Sequence, residues 1–229
     1  MYFMPFDSSM MILIPAIIFT MYAQSKVKTT FNKYLRMPTK KGYTGYDVAR
    51  TLLDQNDLRN VPIEMARGHL SDHYDPRGRV LRLSNEVYRG SSVASISVAA
   101  HEVGHAIQHA RGYVPLTFRN AIFPVASFGS SAAWFFIMAG FLISGFEVLL
   151  DVGILLYAAA VLFQVVTLPV EFNASSRALR LLDANGFISR DEYKPSQKVL
   201  KAAALTYVAA MAAAVAQLLR FIVLRNRRN

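Results

Sequence analysis

Two apolar runs, Ala121–Ile143 and Val148–Val170, constrain this chain more than any other feature. Each is about 23 residues long, enough for a helix to cross roughly 30 Å of hydrocarbon. Only Asp151 and Gln164 interrupt the second, and only Ser144-Gly145-Phe146-Glu147 separates the two. So short a connection makes them an antiparallel hairpin. Its outer ends, near Arg119 and Glu171, therefore return to one side of the bilayer. Asp151 lies four residues from the connection, so its carboxylate is expected to snorkel to the interface.

Two more apolar stretches flank the pair. The first is Tyr2–Ala23, with Asp7-Ser8-Ser9 as a soft spot. No Lys or Arg precedes it, while Lys26, Lys28, Lys33 and Arg36 follow it. A cleavable signal peptide has the opposite charge order, so this reads as an uncleaved anchor with its N-terminus outside, the alternative being a helix lying in the interface. The other, Ala202–Leu219, is rich in alanine, and small residues suit close helix packing. It reads either as a span or as a helix packed against the polar part.

The chain is 53% hydrophobic and 17% charged, whereas a soluble domain carries about a quarter charged residues. That balance speaks against disorder and against an ordinary cytosolic enzyme. With no cysteine there is no disulfide framework, thiol nucleophile or Cys-ligated metal. The net charge is +10, and the polar segments Gln24–Phe118 and Glu171–Lys201 hold 14 and 6 of the 25 basic residues. The positive-inside rule makes their side cytoplasmic. The tail Arg220, Arg225, Arg227 and Arg228 would favour the same side, which a fourth crossing would deny it. Aromatic residues sit in the apolar runs rather than among the basic ones, so the partner is a lipid bilayer and not nucleic acid.

The expected organisation is an anchor over 1–23, a cytoplasmic catalytic segment over 24–118, and a transmembrane hairpin over 119–170. A cytoplasmic segment over 171–201 and a C-terminal alanine-rich helix with a basic tail over 202–229 follow. In the first polar segment, Thr44–Asn56 reads as a capped amphipathic helix. His69–Ser84 reads as a hairpin turning at Asp75-Pro76-Arg77-Gly78. Ser84 is placed to cap a short helix through Tyr88. A longer helix, Val93–Arg111, starts at Ser91 or Ser92 and ends at Gly112. The strand Arg79–Ser84 is expected at a sheet edge, open to an added peptide strand.

Inside that longer helix stands His101-Glu102-Val103-Gly104-His105. The i, i+4 spacing puts both imidazoles on one face, a turn apart, within reach of one metal ion. Glu102 is rotated by about 100° from His101, placed to meet a water on that ion rather than the ion itself. This is the layout of hydrolysis by zinc-activated water, with Glu102 as general base. A catalytic zinc site also needs a third protein ligand. His109 continues the series, but a third turn of straight helix is too far along, which leaves it beside the ligands or at an interface. Glu171 is the better third ligand, because it is the first acid after the hairpin and returns to the side where the His101 helix ended.

These residues carry a resemblance. Gly68–Arg77 (GHLSDHYDPR), Ala99–Gln108 (AAHEVGHAIQ), Thr167–Ser175 (TLPVEFNAS) and Ala202–Ala210 resemble the YugP-like family of membrane-bound zinc metallopeptidases. The likeness runs from about Gly42 to the last helix. It implies a multi-pass zinc protease with a gluzincin-type site. The expected fold is a mainly α membrane protein with three or four spans and a zincin-like unit carrying a small β element. In the site so implied, His101, His105 and Glu171 bind one Zn2+ and Glu102 is the base. The wider gluzincin pattern often has Asp four residues after the ligand Glu; here Ser175 stands there, and Asn173 is the candidate substitute. His73, Tyr74 and Arg177 are candidates for steadying a developing oxyanion or contacting substrate. His69, His73 and Asp75 are weaker candidates for a second metal site.

The expected activity is zinc metalloendopeptidase cleavage of membrane or membrane-proximal proteins. Association with itself or with a membrane-protein partner is compatible with this. The competing reading is a zinc-stabilised, non-catalytic membrane scaffold. Such a site has no need of Glu102 and would close its fourth position with another protein ligand.

Overall fold

The computed structural model describes residues 8–143, 146 and 148–227. The beginning of the first apolar stretch, three of the four residues between the hairpin runs, and Arg228 lie outside them. All four apolar stretches are helical over their described residues. After a 3-10 turn, Ser8–Ile12, come α1 (Leu13–Leu35), α5 (Val114–Leu142), α6 (Val148–Ala184) and α7 (Arg190–Asn226). Each is long and apolar enough to cross a membrane. The chain is thus a mainly α membrane protein with a small sheet.

It divides into two compact units. One, here the apolar unit, holds Met1–Gln24, Thr117–Pro169 and Thr206–Asn229; the other, the site unit, holds Ser25–Leu116 and Val170–Leu205.

In the apolar unit α5 and α6 pack antiparallel through small residues. A Cβ at Gly153 would stand 2.5 Å from Ile137 Cγ1 and 3.0 Å from the Ala133 carbonyl oxygen. Further toward the connection, one at Gly140 would stand 2.7 Å from Leu150 Cγ. Phe221 of α7 lies edge-on to both Trp134 and Tyr157, with ring centroids 5.4 and 5.2 Å apart. The outward faces are apolar and open, with Phe128 and Phe135 more than three-quarters exposed or nearly so at 75% and 81%. That is the pattern of a surface meant for lipid rather than water.

The Asp151 carboxylate has a partner on α7. Its two carboxylate oxygens accept from Arg225 Nε at 2.8 Å and a terminal guanidinium nitrogen at 3.1 Å. Arg220 Nε donates to Ser9 Oγ at 3.4 Å. Within this unit, the end of α7 and the start of the described chain therefore sit at the end where α5 joins α6. Asp151 thus neutralises part of the basic tail of α7.

In the site unit, α2 (Gly45–Asp54) starts at a full capping box. Asp47 N–H donates to Thr44 Oγ1 and Thr44 N–H donates to Asp47. A three-stranded sheet follows: β1 (Ile63–Ala66), β2 (His73–Asp75) and β3 (Val80–Ser84), in the order β1-β3-β2. The Asp75–Arg79 turn is anchored by Asp75, whose Oδ1 accepts from the N–H groups of Arg77 and Gly78. β3 is the central strand, parallel to β1 from Ile63↔Leu81 to Ala66↔Ser84 and antiparallel to β2 from His73↔Arg82 to Asp75↔Val80. Both its edges are paired, which corrects the expectation of an open edge there. The four-residue β1 escaped the sequence reading because it is too short to show an alternation.

Ser84 precedes the short helix α3 (Asn85–Tyr88) but makes no capping bond. Its hydroxyl and N–H go to Asp72 instead, at 3.1 and 2.7 Å. The helix α4 (Val93–Ala110) is capped by Ser92, whose Oγ accepts from Ser95 N–H. It ends as Gly112 takes a left-handed φ of 59°. Every turn of α4 is buried in the unit's core, packed mainly by Val48, Leu52, Leu53, Leu81, Leu83 and Leu182.

Candidate metal centre

The site starts from a close approach of α4 and α6. Gly104 makes it: a Cβ there would lie 2.9 Å from the Ala174 carbonyl oxygen. With no side chain between them, the two helices run antiparallel at a distance short enough for polar groups to meet across the gap. His101 and His105 point from α4 toward α6. Glu171 points back from α6, only 2% exposed.

Three atoms converge. His101 Nε2 and His105 Nε2 are 3.2 Å apart. Glu171 Oε2 lies 3.3 Å from the first and 3.5 Å from the second. Zinc bonds of about 2.0–2.1 Å in a tetrahedral arrangement separate neighbouring ligand atoms by roughly 3.3 Å. The triangle therefore has the size of one face of a zinc tetrahedron. Among the described residues this is the one group of three or more His, Asp or Glu side chains with metal-ligand spacing.

The outward nitrogens of both rings are also engaged. Ser175 Oγ is 3.3 Å from His101 Nδ1, so the residue standing where the wider pattern often has Asp still faces a ring. His105 Nδ1 is 3.0 Å from Gln108 Oε1. Asn173 does not touch a ring; its Oδ1 accepts from Gln108 Nε2 at 3.0 Å and Arg177 Nε at 2.8 Å. Gln108 escaped the sequence reading. The signal for it is a polar residue at i+3 from His105 on an otherwise apolar, buried helix face.

Glu102 sits beside the triangle, 8% exposed. Its Oε2 accepts from the backbone N–H of Tyr74 at 3.0 Å, so the edge strand β2 holds the carboxylate in place. Burial, opposed by the neighbouring His101, pushes the Glu102 carboxyl up to about 7. Burial also raises Asp72 and the Tyr74 phenol.

The remaining candidates are spread out. The Tyr74 hydroxyl shares a 2.9 Å hydrogen bond with His109 Nδ1, which leaves His109 beside β2 and away from the triangle. His73 is exposed, with Nδ1 on the Ser71 carbonyl at 2.8 Å. His69 pairs with Glu86 at 2.8 Å, and Asp75 with Arg82 at 3.1 Å. His69, His73 and Asp75 thus each have a separate partner and do not form a second metal cluster.

Residues 9–226 match the family described as "Putative neutral zinc metallopeptidase". The chain belongs to this family. It is also 49% identical over 211 residues to "Putative membrane protease YugP" of Bacillus subtilis (strain 168), covering 92% of this chain and 93% of that protein. No solved structure matches it. A zinc metallopeptidase family, a membrane-protease relative and four apolar helices together make this a membrane protein of the zinc metallopeptidase type. The triangle of ligand atoms is a fitting place for the metal that the family name implies.

Proposed function

We propose that this chain is a membrane-embedded zinc metalloendopeptidase that cleaves membrane or membrane-proximal proteins, with its site unit facing the cytoplasm. The observation that carries the reading is the 3.2–3.5 Å triangle of two imidazole nitrogens and a carboxylate oxygen, with a buried, unligated glutamate next to it. His101, His105 and Glu171 would hold one zinc ion. When bound, zinc supplies Lewis acidity, which acidifies water and polarises a peptide carbonyl.

The chain's own residues supply the rest. Glu102 keeps one carboxylate oxygen on the Tyr74 N–H, and the other is left to take a proton from the attacking water. In that role it accepts the proton and returns it to the leaving amine. Tyr74, fixed by His109, and Arg177, held by Asn173, stand as the candidates for contacts to substrate.

Glu102 separates this reading from a zinc-stabilised scaffold. In purified protein, Glu102→Gln is expected to retain zinc, read by mass spectrometry, and to lose about 10²–10⁴-fold in peptide cleavage. Undiminished cleavage would remove Glu102 as the base. The cytoplasmic orientation follows from the 20 of 25 basic residues carried by the two polar segments. Because the chain has no cysteine, one cysteine placed at Arg59 reports the side directly. Labelling of intact cells by a membrane-impermeant thiol reagent would reverse the orientation.

A further inference from the structure

The geometry points to Gln108 as a positioning residue that sets the proton on His105 from the backbone of α6. This inference rests on the zinc reading above. Gln108 is fully buried, at 0% exposure. Its amide makes three contacts. Nε2 donates to the Val170 carbonyl at 2.9 Å and to Asn173 Oδ1 at 3.0 Å, and Oε1 lies 3.0 Å from His105 Nδ1.

These contacts form a one-way chain of constraint. A backbone carbonyl can only accept, so the amide face toward Val170 must be the NH2 group. Asn173 Oδ1 reinforces this, because it already accepts from Arg177 Nε and a turned-over Gln108 would set oxygen against oxygen. With its nitrogen so committed, Gln108 can offer His105 only an oxygen. His105 Nδ1 must then carry the hydrogen, which leaves the Nε2 lone pair facing His101 and Glu171. A metal ligand needs just that tautomer.

The carbonyl that starts this chain belongs to Val170, the residue before Glu171. One turn of α6 therefore presents the third ligand and, through Gln108, sets the second. Docking of α6 on α4 supplies a carboxylate and a correctly protonated imidazole together. Gln108 touches neither substrate nor the reacting atoms in this account. It acts through His105.

The test is zinc affinity, measured by chelator competition on the full-length protein in nanodiscs, beside the melting temperature of the zinc-free form. Gln108→Met keeps the length and buried volume but neither accepts nor donates, and should weaken zinc binding by about 10–100-fold. Zinc affinity within threefold of the parent in Gln108→Met would overturn the assignment. So would a lower melting temperature with zinc affinity unchanged, since that is what packing alone predicts. Should Gln108→Met not fold, Gln108→Asn withdraws the same amide by one methylene and must lose affinity too; parent-like binding there overturns the proposal. A parent protein that binds no zinc would defeat the underlying metal reading, a result distinct from any of these.

Discussion

Both units bring two helices almost into backbone contact at a glycine, and they use the contact for different ends. In the apolar unit, Gly153 and Gly140 let α5 and α6 close on one another, and what meets across the seam is Ala133, Ile137 and Leu150. Close packing is the whole result. In the site unit, Gly104 lets α4 meet α6 at Ala174, and the groups that then reach across are His101, His105, Gln108, Glu171, Asn173 and Ser175. The same device serves van der Waals contact in one place and a polar constellation in the other. What differs is the residue types one turn away from the glycine.

That contrast can be broken most forcefully at Glu171. Replacing it with alanine should lower zinc affinity by more than the about 10–100-fold typical of losing an outer partner, and abolish cleavage. The helicity of the apolar unit, read by circular dichroism, should not change. Full zinc occupancy in Glu171→Ala would take the carboxylate out of the centre. Next comes Gly104→Ala, which forces a methyl against the Ala174 carbonyl. We expect about 1–3 kcal/mol of destabilisation and weakened zinc binding together. Gly153→Leu should cost a similar amount by clashing with Ile137 and Ala133, but leave zinc affinity of the folded protein where it was. If both glycine variants changed zinc affinity alike, the two seams would not be doing different jobs.

Smaller effects sharpen the picture. Tyr74→Phe removes the hydroxyl shared with His109 and should lower the stability of the zinc-free protein by about 0.5–1.5 kcal/mol. Asp151→Asn breaks the half-exposed pair with Arg225. It should cost no more than about 1 kcal/mol, measured by denaturant titration in nanodiscs, with zinc binding unaltered.

The candidate site's three clustered side chains were legible in the sequence. The i, i+4 histidines needed only the helical period. Glu171 followed from the shortness of the hairpin connection, which brings the chain back with few options for where the next acid lies. The α2 cap and the β2–β3 turn were legible too, because Thr44, Asp47 and the Asp-Pro-Arg-Gly run act locally. What stayed hidden depends on partners distant in sequence. Nothing near Gln108 announces the Val170 carbonyl, and nothing near Ser84 shows that Asp72 will outcompete the helix end for its hydroxyl. β3 is a central strand only because β1 arrives beside it, and β1 has too few residues to declare itself.

The antiparallel seat of α6 on α4 also sets a timetable. Gln108 and the carbonyl it grips are 62 residues apart. At roughly 5–20 residues per second, a ribosome finishes α4 about 3–12 s before it reaches that carbonyl. During that interval the nascent chain holds two histidines and a glutamate but no third arm. On the proposed reading, the third ligand joins the two histidines only after the residues of the apolar hairpin have been made.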